Sequence, residues 1–183
     1  PQAKAAQTVD EKDAADSPKT ADTASAKVPT VDSAQKSDAQ KPEAQTLIKP
    51  IKGSDYTVTN PYAMDHLLYS VTLDQYMTHD GIDLAAPAGT SVKTCASGTV
   101  TRIEKDDRYG MIVEISHGND LLSLYGNLAE DGLVELGEVV SRGDVIGKVG
   151  KTSTFEASGA EHLHFSMKLK DEPVDPGKYI KGL

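Results

Sequence analysis

Apolar residues are spread unevenly along this chain. Residues 1–46 contain Val9, Val28 and Val31 as their only large aliphatic side chains, and no aromatic one. Ala, Asp, Lys, Ser, Thr, Gln and Pro fill the remainder, and Pro18, Pro29 and Pro42 interrupt each stretch that could turn helical. So little apolar surface cannot offset the entropy lost on ordering. The segment therefore predicts a disordered polar stalk. From Leu47-Ile48 onward the pattern changes to short runs that are rich in β-branched residues or alternate in polarity. They cover 92–96, 98–104, 111–116, 121–125, 134–140, 144–149 and 162–169. Turn signals separate them at Ser97-Gly98, Asp106-Asp107, Gly118-Asn119 and Arg142-Gly143. This spacing predicts an all-β, antiparallel, sandwich- or barrel-like domain over 75–183. Residues 47–74 read as its lead-in, with a short helical or irregular stretch at 60–69. About 137 residues then remain to build one sizeable core.

Charge narrows the classes of partner. Of the net −9, the stalk carries −2 (eight acidic and six basic residues) and the remainder −7. An acidic domain without a basic stripe disfavours nucleic acid and anionic membrane as ligands. No run approaches the roughly 20 apolar residues of a membrane span, and no signal peptide is legible. Because the chain opens on Pro1, it reads as a fragment or processed product, and any membrane anchor of the full protein would precede Pro1. The single cysteine, Cys95, excludes an internal disulfide and reads as a small buried filler within a strand.

Two short clusters carry the candidate chemistry. In His162-Leu163-His164-Phe165, the histidines lie two apart, so one β-strand presents both on the same face. In His79-Asp80-Gly81-Ile82-Asp83, the imidazole and the carboxylate lie four apart, roughly 13 Å along a straight strand. Gly81 permits a turn that would bring them together. Two imidazoles and a carboxylate suit zinc, and three protein ligands leave a fourth position for water.

Those clusters sit inside a longer series of motifs. His79-Asp80-Gly81-Ile82-Asp83-Leu84-Ala85-Ala86-Pro87-Ala88-Gly89-Thr90 is followed by Gly98-Thr99-Val100, Ile115-Ser116-His117-Gly118 and Leu124-Tyr125-Gly126-Asn127-Leu128. Next come Gly143-Asp144-Val145-Ile146-Gly147-Lys148-Val149-Gly150, His162-Leu163-His164-Phe165 and Pro173-Val174-Asp175-Pro176. The series resembles a LytM/lysostaphin-like zinc endopeptidase domain, a family that cuts the peptide cross-links of peptidoglycan. The resemblance implies one zinc held by His79, Asp83 and His164, with His162 as a catalytic histidine acting on the water.

One position departs from the family pattern. The Tyr-x-His-Leu motif, which supplies a second catalytic histidine, reads Tyr125-Gly126-Asn127-Leu128 here. Asparagine hydrogen-bonds but does not exchange a proton near neutral pH, and loss of a general acid–base group typically costs about 10² to 10⁴ in rate. The expectation is a site that holds zinc but hydrolyses poorly. A polar stalk, an intact zinc triad and a missing second histidine make the chain most similar to degenerate LytM domains of the SpoIIQ type in endospore-forming clostridia. That resemblance implies a forespore membrane protein facing the intermembrane space. There it would bind a mother-cell partner of the SpoIIIAH type during engulfment, with peptidoglycan as a further ligand. The alternative is a working endopeptidase. His66 and His117 read as packing or surface histidines. Tyr109 and Tyr125 read as sheet residues with a lesser claim to line a groove, and 152–161 reads as a loop walling the metal cleft.

Overall fold

The structure is a computed structural model and describes residues 46–53 and 55–183. The expected stalk, except for residue 46, lies outside the described residues. Runs that alternate or bury both faces become strands. They are β1 (Thr57–Asn60), β2 (Ala63–Ser70), β3 (Gln75–His79), β4 (Gly81–Ala85), β5 (Ser91–Lys93) and β6 (Gly98–Asp106). The series continues with β7 (Gly110–Ser116), β8 (Leu121–Leu128), β9 (Val139–Val140), β10 (Val145–Lys148), β11 (His162–Leu169) and β12 (Glu172–Val174). A single 3-10 turn, Pro176–Lys178, completes the regular elements among the described residues.

All strand pairings are antiparallel, and the fold is all-β as the pattern predicts. The main sheet runs β1-β4-β11-β8-β7-β6-β9, with β12 added beside β11. Two hairpin-sized sheets, β5 with β10 and β2 with β3, lie outside it. One apolar cluster joins the main sheet (Leu84, Val113, Ile115, Tyr125, Leu163, Phe165) to Val92 of β5 and Ile146 of β10. Ile112 and Leu124 face away from it and pack with Tyr109 in a second, smaller cluster. Strands β8 and β11 are buried on both faces over most of their length. That rigidity fixes the positions of the residues at their ends.

The N-terminal part of the domain corrects the sequence reading. Residues 60–69 are neither helical nor irregular: Asn60 ends β1, and 63–70 form β2. β1 pairs with β4, more than twenty residues away, and β2 forms a hairpin with β3 through Val71-Thr72-Leu73-Asp74, a turn without the Gly, Pro or Asn that marks one in sequence. The lead-in thus supplies an edge strand of the main sheet, and its Ile51 is buried in the main core. The run at 134–140 yields only Val139–Val140 as strand, because the chain folds back at Gly137 (φ +82°) and Glu138 N–H bonds to Glu135 O at 3.1 Å. At 92–96 the strand ends with Lys93.

Candidate metal centre

Register creates the site. In β11, His164 lies opposite Asp83 of β4 on one side and Gly126 of β8 on the other. Cross-strand neighbours have Cβ atoms about 5 Å apart, so an imidazole and a carboxylate facing the same way must meet. His164 Nδ1 lies 2.9 Å from Asp83 Oδ1. His79, at the last position of β3, adds its Nε2 at 3.2 Å from each of those atoms. The chain bends at Asp80 between β3 and β4, which brings His79 and Asp83 together as the spacing anticipated. Gly81 acts differently from that expectation. Its φ is not left-handed; rather, a Cβ there would stand 2.7 Å from His164 Cε1 and 2.8 Å from Phe165 O. Glycine is required because β11 passes so close.

The three atoms form a triangle with edges of 2.9–3.2 Å. A tetrahedral zinc with ligands at about 2.0–2.1 Å needs edges of about 3.3 Å, so the donor set fits that ion. Partners behind each group aim it inward. His79 Nδ1 bonds to Pro61 O at 2.8 Å, which turns Nε2 toward the site. Asp83 Oδ2 accepts from Asn60 Nδ2 at 2.7 Å, leaving Oδ1 for the centre. His164 Nε2 is buried without a hydrogen-bond partner and faces Asp80 Oδ1 at 3.9 Å. The ring of Tyr109 stacks on His164 (centroids 4.1 Å apart, 13° between planes), and its hydroxyl donates to Asp80.

Electrostatics follow from this crowding. Burial pulls His79 down, but the Asp83 carboxylate and the Pro61 carbonyl outweigh it and hold the imidazole at about 9. Asp83 is raised by burial, yet hydrogen bonds from His164 and His79 keep it well below the usual carboxylate range. A cation binding here must compete with the proton that the raised His79 pKa favours.

Beside the triad, sequence reasoning missed one group. Glu156, in the loop 152–161, places Oε1 3.9 Å from both His79 Nε2 and His164 Nδ1. Among the described residues, His79, Asp83, Glu156 and His164 each bring a donor atom to within 4.8 Å of the others. The loop does form a wall of the cleft as expected, but its one-letter pattern says nothing about which side chain turns inward. His162 faces the same cleft. Its Nε2 lies 2.9 Å from Glu156 Oε2 and its Nδ1 2.8 Å from Ala160 O. Both nitrogens face acceptors, an arrangement that favours the protonated ring. Burial opposes this state, but Glu156 and Asp83 prevail and raise its pKa.

Asn127 stands at φ +60° with its side chain turned to the loop. Its Oδ1 accepts from Thr152 N–H at 2.7 Å and Ser153 N–H at 2.9 Å, and its Nδ2 donates to His162 O at 2.9 Å. It is a bracket between β8, β11 and the loop. The other histidines take no part in the centre. His66 is exposed and pairs with Asp65 at 2.6 Å. His117 lies in a buried chain with Ser97 O (2.9 Å), Ser123 Oγ (2.7 Å) and, beyond it, Tyr125 OH. Tyr125 is fully buried and accepts from Cys95 N–H, whereas Tyr109 lines the groove. The groove, about 260 Å³, runs over His79, Tyr109, Glu156 and His162 beneath the β2–β3 hairpin.

Comparison with known proteins decides the family. Residues 77–176 match the model of Peptidase family M23. The chain belongs to this family. Within it, the M23 domain is 39% identical over 107 residues to stage II sporulation protein Q of Bacillus subtilis, a match covering 57% of this chain and 37% of that protein. Among solved structures, it resembles a chain of the SpoIIQ–SpoIIIAH pore-forming complex (TM-score 0.64, 28% identity), covering 75% of this chain and 92% of that one. It also resembles a zinc-containing peptidase from Vibrio cholerae (TM-score 0.58, 26% identity, 71% and 39% covered). The chain spans less than half the length of the curated relatives it matches.

Proposed function

We propose that this M23 domain binds zinc through His79, Asp83 and His164, hydrolyses peptidoglycan poorly or not at all, and serves to bind an extracytoplasmic protein of the SpoIIIAH type. In this reading it belongs to a forespore membrane protein, with the domain facing the intermembrane space during engulfment. The likeness to a chain of each of two solved SpoIIQ–SpoIIIAH complexes, over nearly the whole of that chain, together with the 39% identity to stage II sporulation protein Q, supports the partner.

The impairment rests on one observation: Asn127 stands where the family motif carries a histidine, and its amide is committed to the loop. His162, the remaining imidazole, faces Glu156 and Ala160 O. Zinc would supply Lewis acidity in an active member of the family; here the chain's own residues offer no unengaged proton acceptor beside it. The alternative, an active endopeptidase cleaving peptidoglycan cross-links, draws support from the convergent triad and from the groove beside it. It needs a second general acid–base group, and His117 is occupied elsewhere.

Calorimetric titration of a purified SpoIIIAH-type ectodomain into this chain tests the partner. Saturable binding is expected, and absence of heat at micromolar concentrations contradicts it. Elemental analysis tests the ligands: one zinc per native chain and loss of it in His79→Ala and His164→Ala are expected, whereas unchanged zinc in either variant refutes the assignment.

A further inference from the structure

We infer that Glu156 is a fourth protein ligand, which closes the metal centre, and that Asn127 is the residue that positions it. The inference rests on the reading of His79, Asp83 and His164 as zinc ligands. A catalytic zinc site keeps one position open, whereas a structural site fills all of them with protein atoms. Glu156 Oε1 approaches the triad from the groove, 3.9 Å from each ligating nitrogen. A side-chain movement of about half an ångström to one ångström toward the triad, within rotamer reach of a glutamate, brings it to the edge length of a tetrahedral site. Its second oxygen accepts from His162 Nε2, so the carboxylate is held from behind in the manner of a ligand oriented by an outer partner. Two carboxylates also match the charge of a divalent cation, which matters where Asp83 and His164 are almost wholly buried.

The loop that delivers Glu156 is fastened along its length. Thr152 and Ser153 N–H groups bond to Asn127 Oδ1, Ser153 Oγ donates to Arg108 O at 2.8 Å, and Ser158 N–H bonds to Thr72 Oγ1 at 3.1 Å. A carbonyl oxygen with two lone pairs accepts both amides at once, whereas a ring nitrogen of histidine offers one. The asparagine that removes a catalytic imidazole is therefore also the anchor of the loop that fills the open position. The substitution and the plug form one device, turning a hydrolytic centre into a structural one.

Cobalt(II) loaded into the full chain in place of zinc tests this without reference to activity, because its visible spectrum reports ligand number and exchange. Excess azide should leave the spectrum of the native chain unchanged and should shift that of Glu156→Ala. Zinc affinity of Glu156→Ala, from competition with a chromogenic chelator, should fall by more than the roughly 10- to 100-fold typical of losing an outer partner. Asn127→Ala, whose loop is released but whose ligands are intact, should become azide-sensitive as well. Thermal melting of the metal-free Glu156→Ala chain, expected to match that of the native chain, separates ligand loss from misfolding. An azide shift in the native chain together with unchanged zinc affinity in Glu156→Ala would overturn the inference while leaving the three-ligand reading in place. Zinc retained by His79→Ala, or no uptake by the native chain, would overturn both.

Discussion

Gly81 shows how much a single position decides. The sequence assigns it a turn between two ligands; in the structure its missing Cβ makes room for the ring of His164. Gly81→Ala should therefore act through packing and not through φ. Overpacking of this kind costs about 1–3 kcal/mol, so thermal unfolding should drop by several degrees. The displaced His164 should also weaken zinc binding in the same variant. His117 makes the opposite point, since its motif position attracts attention but its neighbours give it a structural role. Burial depresses its pKa, and the Ser97 carbonyl only partly offsets this. Such a group contributes stability fully above its unfolded value of about 6.5 and loses it as pH falls through the folded one. Urea midpoints measured at pH 8 and pH 5 should fall more for the native chain than for His117→Gln. Equal falls would remove His117 from the account.

Among the elements, legibility tracked the strength of the local pattern and of the turn signals beside it. Strands β6, β7, β8 and β11 pair with near neighbours or carry strong alternation, and the pattern located each within a few residues. Strand β1 escaped because its partner β4 is distant in sequence, and the β2–β3 hairpin escaped because its turn, with Asp74 at positive φ, carries no glycine or asparagine to announce it. The triad was readable for a related reason: i,i+2 spacing on a strand and i,i+4 across a bend are local facts, and register supplied the rest. Glu156 was not, because a loop has no period. Edge strand β1 matters to the site, since its last residue, Asn60, holds Asp83 Oδ2. Asn60→Ala should keep the zinc but bind it about 10- to 100-fold more weakly in chelator competition. Unaltered affinity would mean that Asp83 needs no such support.

For the whole molecule, the acidic charge, the two-sided core and the walled groove point the same way. The M23 family match, the convergence of His79, Asp83 and His164, and the hydrogen bonds that tie Asn127 and His162 into the scaffold are the observations on which the proposed zinc-binding, poorly hydrolytic domain rests. The most direct measurement is release of soluble muropeptides from purified peptidoglycan by the chain carrying one zinc, compared with the same chain stripped of metal. The account predicts no zinc-dependent release. Release that appears with zinc and disappears in His79→Ala would contradict it.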